Sequence, residues 1–397
     1  MKKKIRKVMV LAVMVLFAAG LLMAAGQKET GSIKIGMYQD LSAGTAQWGT
    51  DSQKGAQLRV KDINDAGGIM GRKIELVTYD CKGLPTESVK AYSRLVQEDK
   101  VVAVYGSLNS NTGLAVSPVA EQMKVPVIAR CMDERITTPD FKAENPDNPG
   151  RVNLYFFLLQ PSCYQQAAMM AGFAIDELGL QTFAMLYTPS NAYSYMLAKG
   201  FEYYLNKRGK KVIGAFEFQA GDLDFKAQLT KVKELNPDGL FVPNYVPENA
   251  NAAKQAKELG LKTTLLGNNS WFEPLDKVAG VAADGAYFPL NISRDDPSLQ
   301  WYIAKYEKEY GEKPRLHSFS GWDDVGFILE AIKRANSTDP GKIREAMEQT
   351  KQFQGIIGTI NMDAKTHRSY GLQMSILKFV GDQIKTVKLK YYPKDVQ

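Results

Sequence analysis

Six short stretches of this chain together hold aromatic rings, hydroxyl groups and amide groups, and each follows a strand-like apolar run. They are DLSAGTAQWG (40–49), GSLNSNTG (106–113), RCMDERIT (130–137), TPSNAY (188–193), NYVPEN (244–249) and NNSWFEP (268–274). Open α/β sheets bind ligands at the carboxyl ends of their strands, where such loops meet. Rings, hydroxyls and amides bind small polar molecules by stacking and hydrogen bonding. The sequence therefore predicts a site for a small polar ligand.

Ser110 is the strongest single candidate in these loops. It follows the apolar run VVAVY (101–105) and precedes a helix expected to begin near Asn111 or Thr112. Its hydroxyl and the free amides of that helix start could hold a carboxylate. The same residues could instead only cap the helix. The aromatic residues of these loops likewise have two interpretations: they could contact the ligand, or they could only pack between the lobes.

Catalytic and metal-site motifs are missing from the sequence. The two histidines, His317 and His367, do not have metal-ligand spacing, and serine-nucleophile, zinc-protease and phosphate-loop motifs do not occur. Asp323 and Asp324 are neighbours on a predicted helix, so they face different directions and are expected to be solvated rather than a catalytic pair. We therefore expect no enzymatic activity, no catalytic residue, no metal and no cofactor.

Strand-like and helical segments alternate in two series, which predicts an α/β fold with two lobes. The first series has strands at 33–37, 73–79, 101–105 and 125–129, with helices near 50–66, 86–99 and 112–123. The second has strands at 183–187, 212–218, 239–243 and 263–267, with helices at 193–208, 225–235 and 248–259. A strand at 286–291, helices at 298–310, 318–335 and 341–350, and a hairpin turning at Gly381–Asp382 follow.

The glycines of NDAGGIMG (64–71) stand after a predicted helix and before a strand. This order is typical of a helix stop, because phosphate loops place their glycines after a strand and before a helix.

Residues 1–26 have the pattern of a secretory signal, with a basic start, the uncharged run Val8–Met23 and small residues at 24–26. Without them, 45 Lys and Arg remain against 43 Asp and Glu, so the positive charge of nucleic-acid-binding proteins is lacking. No cysteine lies near the expected cleavage site, which favours a free periplasmic protein. Cys81, Cys131 and Cys163 are expected to form one pair and one thiol or to stay as buried thiols.

The chain resembles the type I periplasmic substrate-binding proteins of the leucine/isoleucine/valine-binding family, which serve branched-chain amino acid type ABC transporters. The resemblance covers nearly all residues after the signal, through IKIGMYQDLSAGTAQWG, INDAGGIMGRKIELVTYD, VVAVYGSLNSNTGLAVSPVAEQMKVPVI and SFSGWDDVGFILEAIKRA. It implies the two-lobed type I fold with a parallel sheet in each lobe and a cleft that closes on a hinge. The implied lobes are 27–157 with 290–362 and 158–289 with 363–397, joined by three crossings near 158, 290 and 363.

By motif position, the resemblance implies that Trp48 lies in the cleft, that Ser110 holds the ligand carboxylate, and that Tyr193 and Tyr245 cover the ligand. The complete set of predicted ligand-binding residues is Trp48, Leu108, Asn109, Ser110, Cys131, Asp133, Tyr193, Tyr245 and Asn269.

Two positions depart from the pattern of the family. Asp133 stands where a threonine usually holds the carboxylate, and Asn269 stands where an acid holds the ammonium group. An ionised Asp133 would repel a ligand carboxylate, so we predict that it receives a positive or hydrogen-donating group of the ligand. The alternative is that Asp133 points away and forms a surface ion pair with Arg130 or Arg135.

The expected function is the capture of a small solute, an amino acid or a related amide or amine, by a periplasmic monomer that delivers it to an ABC transporter permease. No nucleic-acid partner is expected. A ligand-sensing subunit of the same fold that docks on a receptor is the alternative, and a secreted hydrolase is a third reading.

Overall fold

A computed structural model describes residues 31–393 of the chain. The expected signal at 1–26 lies outside the described residues. The strands, numbered in chain order, are β1 (Ile33–Gln39), β2 (Ile74–Asp80), β3 (Val104–Gly106), β4 (Val127–Ala129), β5 (Phe156–Leu158), β6 (Thr182–Tyr187), β7 (Lys211–Glu217), β8 (Gly239–Val242), β9 (Thr264–Gly267), β10 (Tyr287–Leu290), β11 (Phe353–Gly355), β12 (Gly358–Asp363), β13 (Arg368–Tyr370), β14 (Met374–Val380) and β15 (Gln383–Tyr391).

The α-helices of the described range alternate with these strands. They are α1 (Ala46–Asp65), α2 (Pro85–Gln97), α3 (Ser110–Met123), α4 (Cys163–Asp176), α5 (Ala192–Lys207), α6 (Lys226–Leu235), α7 (Val246–Glu258), α8 (Leu275–Ala279), α9 (Gln300–Tyr310), α10 (Leu316–Ala335) and α11 (Pro340–Glu348). Short 3-10 helices lie at Glu134–Ile136, Asn269–Trp271, Gly280–Ala283 and Pro297–Leu299.

The first sheet has the strand order β11-β12-β13-β5-β4-β3-β1-β2. Its strands from β13 to β2 pair in parallel, and β11 and β12 add an antiparallel edge. We call the elements packed around this sheet lobe 1. Buried apolar side chains of β1, such as Ile33, Ile35 and Met37, pack in its core, as the alternating sequence predicts.

The second sheet has the order β15-β14-β10-β9-β8-β6-β7, and the elements around it are lobe 2. Strands β6 to β10 pair in parallel, whereas β14 runs antiparallel to β10 and to β15. Val380 pairs with Gln383, so the hairpin turns at Gly381–Asp382 as predicted. Two mostly parallel sheets with flanking helices confirm the predicted fold class.

The chain passes between the sheets three times, after β5, after β10 and after β13. The third passage lies later than the expected position near 363. Asp363 pairs with Arg368 in an antiparallel turn, and Arg368 also pairs in parallel with Leu158. The expected boundary thus falls inside a hairpin of the first sheet, and the chain leaves that sheet between Tyr370 and Met374.

Helices α1 and α10 of lobe 1 cross at glycines. A Cβ at Gly55 would lie 1.9 Å from the carbonyl oxygen of Ser318, and one at Gly321 would lie 1.9 Å from that of Ser52. A side chain of any size would therefore separate the two backbones. This crossing fixes the amino-terminal turn of α10 beside that of α1.

The glycine run after α1 ends the helix, as predicted. Gly68 has φ +80° and its N–H donates to the carbonyl of Ile63 at 2.8 Å, and a Cβ there would meet the carbonyl of Arg72. The turn leads into the amino end of β2, at the opposite end of the sheet from the predicted ligand loops.

All three cysteines, Cys81, Cys131 and Cys163, are buried free thiols, which agrees with the second of the two expectations. Between residues 31 and 393, no helix is both long and apolar enough to cross a bilayer.

Candidate ligand-binding site

The carboxyl-end loops of β1, β3 and β4 in lobe 1 and of β6, β8 and β9 in lobe 2 enclose a cavity with the start of α10. Its volume is about 30 Å³, far below the roughly 300–1,000 Å³ of usual ligand pockets. A ligand therefore needs the lobes to move apart. The lining residues are Trp48, Leu108, Ser110, Arg130, Met132, Tyr193, Tyr245, Asn269, Ser270, Phe272, Glu273, Leu316 and His317.

A larger recess of about 400 Å³ opens beside this cavity. The two share Trp48, Phe272, Glu273, Leu316 and His317 as lining. The recess thus adjoins the cavity at its aromatic end, and most of its other lining residues are charged: Asp51, Asp276, Lys277, Arg294, Glu312, Lys313 and Arg315.

Most of the predicted ligand-binding residues meet in the cavity. Those in its lining are Trp48, Leu108, Ser110, Tyr193, Tyr245 and Asn269. The remaining three, Asn109, Cys131 and Asp133, are not part of the lining.

Asp133 is fully buried and is held by Arg135. Its Oδ1 accepts hydrogen bonds from the backbone N–H and Nε of Arg135 at 2.9 and 3.0 Å, and its Oδ2 accepts one from Nη2 at 2.6 Å. Both carboxylate oxygens are therefore occupied. The geometry favours the alternative ion pair over the predicted ligand contact, although the aspartate is in the interior and not at the surface.

Asn109 and Cys131 shape the loop beneath Ser110. The Asn109 side chain accepts from the N–H of Asn111 at 2.8 Å and caps α3. The Cys131 thiol lies 3.1 Å from the carbonyl oxygens of Ser107 and Asn109, and burial raises its pKa well above the usual range. Both side chains support the loop from behind the cavity.

Ser110 is the first residue of α3 and does not supply its side-chain cap, because Asn109 does. Its hydroxyl oxygen accepts from the N–H of Met132 at 3.3 Å, and the residue is buried. Helix α3 therefore does not need the Ser110 side chain as a cap. This leaves ligand binding as the interpretation of Ser110, whose hydroxyl faces the cavity.

An aromatic wall borders the cavity on one side. Trp48 lies 4.9 Å from the ring of His317 and 6.1 Å from that of Tyr245, measured between centroids. Tyr245 stacks on Tyr193 at 5.4 Å. Because Trp48 and His317 belong to lobe 1 and the tyrosines to lobe 2, the wall spans the cleft.

His317 is a neutral ring in this wall. Burial, and next the charge of Arg130, hold its pKa well below the usual range. Its Nδ1 has no hydrogen-bond partner among the described residues. The ring can therefore donate or accept one hydrogen bond towards a ligand.

Polar contacts also cross between the lobes. The Tyr193 hydroxyl donates to Oδ1 of Asn269, whose Nδ2 lies 3.6 Å from the sulfur of Met132. Nearby, the N–H of Ala192 donates to Oδ1 of Asn111 at 3.3 Å. Asn269 therefore uses its carbonyl oxygen within lobe 2 and turns its amide towards lobe 1.

Arg130 lies at the floor of the cavity and is only 2% exposed. None of its three side-chain nitrogens has a hydrogen-bond partner among the described residues. Burial lowers its pKa, while the nearby Asp324 raises it. An interior guanidinium with all its donors free is unusual, since buried charges are ordinarily paired.

Asp323 and Asp324 on α10 are buried, whereas the sequence led us to expect solvated side chains. Asp323 accepts from the N–H groups of Ile356 and Ile357 at 2.8 and 2.9 Å. Burial raises the pKa of Asp323 to about 6 and that of Asp324 to about 8. Helix α10 is buried inside lobe 1 on both of its faces. The apolar residues next to Asp323 and Asp324 in the sequence did not indicate this burial. In the described range, no three side chains of metal-binding type come together.

Trp271, another aromatic residue of the predicted loops, belongs to the core. It is fully buried, and its Nε1 donates to the carbonyl of Val242 at 2.9 Å. Its ring lies under Gly267, where a Cβ would approach within 2.3 Å.

Sequence reasoning missed Arg130 and Met132, although it selected their neighbours. Side chains of an extended segment alternate between two faces. Arg130 and Met132 line the cavity, and Cys131 and Asp133 point away from it. Alternation groups Arg130 with Met132 and Cys131 with Asp133, but the tertiary structure decides which pair faces the cavity. The start of α10, with Leu316 and His317, carried no comparable signal.

A sequence model described as "Periplasmic binding protein" matches residues 32–381. The chain belongs to this family. Among curated members, it is 25% identical over 342 residues to the Leu/Ile/Val-binding protein homolog 7 of Brucella suis biovar 1 (strain 1330), covering 82% of this chain and 83% of that one. It is a type I periplasmic binding protein of the branched-chain amino acid family, and its class is that of ABC transporter substrate-binding proteins.

Solved structures of this family agree with the fold. The leucine-binding protein LivK of Thermotoga maritima MSB8 shares 26% identity with a TM-score of 0.81, over 92% of this chain and all of that one. The substrate-binding protein LivJ of Streptococcus pneumoniae, solved with isoleucine, shares 26% identity with a TM-score of 0.78, over 90% and 99%. A Rhodopseudomonas palustris solute-binding protein solved with benzoate has the same fold at 20% identity and a TM-score of 0.76, over 91% and 97%.

Proposed function

We propose that this chain captures one small solute between its lobes and presents the closed form to the permease of an ABC transporter. The observation that carries the proposal is the cavity, because its lining comes from both lobes. A solute held by both lobes binds the closed arrangement better than the open one, and this difference in affinity drives closure. The protein acts in the periplasm as a monomer, without a catalytic step or a cofactor.

The fold does not by itself fix the solute. The related LivJ was solved with isoleucine, and the R. palustris protein of the same fold was solved with benzoate. The solute of this chain must be inferred from its own lining. The aromatic wall suits an apolar or aromatic body, and the polar lining residues Ser110, Arg130 and Asn269 suit a charged or hydrogen-bonding head.

The test is native mass spectrometry of the chain from residue 27 onward, purified without denaturation. We expect one retained solute per chain, released chemically unchanged on unfolding. Added back at about 100 times its dissociation constant, it should stabilise the folded state by about 2.7 kcal/mol.

Variants in each lobe test the two-sided site. Ser110→Ala in lobe 1 and Tyr245→Ala in lobe 2 should both weaken binding of the retained solute in titration calorimetry. Tyr370→Ala, an exposed tyrosine outside the cavity, serves as the control. Conversion of the solute to a product, or full binding by both cavity variants, would contradict the proposed function.

A further inference from the structure

Arg130 is the feature of the cavity that the proposed function does not yet explain. Its guanidinium carries five N–H donors and a permanent charge. It is buried at the cavity floor, with its nitrogens unpartnered among the described residues. An unpaired interior charge is costly, so a partner that arrives from outside the chain would remove that cost.

None of the nearby acids in the described part of the chain forms a hydrogen bond or an ion pair with Arg130. Glu273, the acidic residue of the lining, accepts from Nη1 and Nη2 of Arg294 at 2.7 and 2.8 Å. Asp323 is held by backbone N–H groups, as described above. Asp324 lies outside the lining and forms no hydrogen bond with Arg130, and burial raises its pKa to about 8, which favours its neutral form although the charge of Arg130 acts in the opposite direction.

We propose that Arg130 binds the carboxylate of the solute, and that this solute is a small organic acid without an ammonium group. This inference rests on the proposed function. A guanidinium forms two parallel hydrogen bonds with a carboxylate, which combine charge and direction. Ser110 also lines the cavity, and while its hydroxyl oxygen accepts from the N–H of Met132, its hydroxyl proton can be donated to the same carboxylate.

An ammonium group has no acidic partner in this cavity. The position of the family's acid is Asn269, whose carbonyl oxygen already accepts from Tyr193. Asp133 is paired with Arg135, and Glu273 with Arg294. An amino acid would therefore bring a second positive charge into a closed space beside Arg130, without compensation. A carboxylic acid without an ammonium group brings one negative charge, which pairs with the positive charge of Arg130.

The other end of the acid meets the aromatic wall. Trp48 and Tyr245 offer ring surface to the body of the acid. The neutral His317 and the amide of Asn269 can bind a hydroxyl or carbonyl on that body. These contacts predict an acid with an apolar or aromatic body, with or without one such group.

Matched probes of equal carbon skeleton test the charge of the ligand. We would titrate 4-methylpentanoate, 4-methylpentanamide and leucine, and likewise 3-phenylpropanoate, 3-phenylpropanamide and phenylalanine, by calorimetry. The acid of at least one set should bind at least about a hundredfold more tightly than its amide and its amino acid, since losing one partner of a buried charge pair is a loss of that order.

Arg130→Gln should weaken binding of the acid by at least about a hundredfold. Its thermal midpoint without ligand should equal or exceed that of the parent, because an unpaired interior charge is removed. Arg130→Lys keeps the charge and should restore part of the affinity, and it replaces the glutamine variant if that chain does not fold. Arg151→Gln, at a position paired with Asp140 on the surface, controls for the loss of one positive charge.

The outcomes separate this inference from the proposed function. Binding of an amino acid or an amide that survives Arg130→Gln within about threefold would overturn the role of Arg130 and leave the solute-binding function intact. If none of the six probes binds, the charge of the solute retained in native mass spectrometry decides, with an organic acid supporting the inference and a neutral or zwitterionic solute overturning it. Retention of no solute, with no stabilisation by any probe, would contradict both.

Discussion

Trp48 and Trp271 show how the same side chain takes different roles at neighbouring places. Trp48 is half-buried in the aromatic wall, between Tyr245 and His317. Trp271 is fully buried and hydrogen-bonded to a strand of lobe 2. One ring is available to a ligand, and the other is part of the core.

Trp48→Ala should weaken binding of the retained solute by about 1.5–3 kcal/mol, roughly ten- to 150-fold, because apolar ring contacts are lost. Calorimetry measures the binding, and urea unfolding should show a nearly unchanged free energy of unfolding. The matched variant Trp271→Ala should instead lower the free energy of unfolding by about 3–5 kcal/mol. A Trp48 variant that unfolds readily but binds normally would assign that ring to packing.

Protonation of Asp324 should make the free energy of unfolding depend on pH. Its charged form would face Arg130, Tyr105 and the neighbouring Asp323, and burial raises its pKa from 3.8 to about 8. The folded state therefore holds this proton more tightly than the unfolded state does. Stability from the buried neutral acid is fully present below about pH 4 and is lost as the pH rises towards 8.

Asp324→Asn keeps the neutral shape at every pH. Its free energy of unfolding relative to the parent should rise steadily between about pH 4 and pH 8 and then level off, as measured by urea unfolding at several pH values. Asp382→Asn, in the exposed hairpin turn, controls for the removal of one carboxylate. A constant difference across this pH range would show that Asp324 is ionised in the folded protein.

At the scale of the elements, the crossing of α1 and α10 leaves no room for a side chain at its glycines. Gly321→Ala places a Cβ against the backbone of Ser52. We expect a loss of about 1–3 kcal/mol from overpacking, beyond the gain of up to about 1 kcal/mol in helix propensity. Gly326→Ala on the same helix meets only the movable end of the Arg59 side chain, 3.0 Å away. Thermal unfolding should rank Gly326→Ala above Gly321→Ala, and the reverse order would show that the helices separate easily.

The elements were largely predictable from sequence, because their apolar periodicity reports local burial. Strands such as β1 and β6 and the hairpin at Gly381–Asp382 lie where predicted. The third crossing was misplaced because β13 has three residues, too few to show alternation. Its membership of the first sheet depends on pairing with β5, more than 200 positions earlier.

The site was predictable where a side chain stands at the start of a helix that follows a strand, as for Trp48, Ser110 and Tyr245. Arg130 was considered only as a partner of Asp133, because the composition of a loop does not reveal which of two adjacent side chains faces inward. His317 enters from α10, whose position is set by the packing of distant helices. Such residues need the tertiary structure.

At the scale of the whole molecule, ligand binding should change the distance between the lobes. The cavity of about 30 Å³ is closed by contacts from Asn269 to Met132 and from Ala192 to Asn111. Because a solute can enter only when this cleft is open, the unliganded chain should sample wider arrangements, and small-angle scattering should show a smaller radius of gyration with saturating solute than without it. An equal radius in both states, with binding demonstrated by calorimetry, would exclude hinge closure.

The three passages between sheets also set the order in which the chain can fold during its synthesis. Gly55 of α1 has no partner helix until α10 follows, about 250 residues later, which takes roughly 13–50 s of translation. Strands β6 to β10 are contiguous in the chain and can pair much sooner. The amino-terminal lobe, although made first, is thus completed last but for the hairpin of β14 and β15, because α10 and strands β11 to β13 follow lobe 2 strands β6 to β10 in the chain.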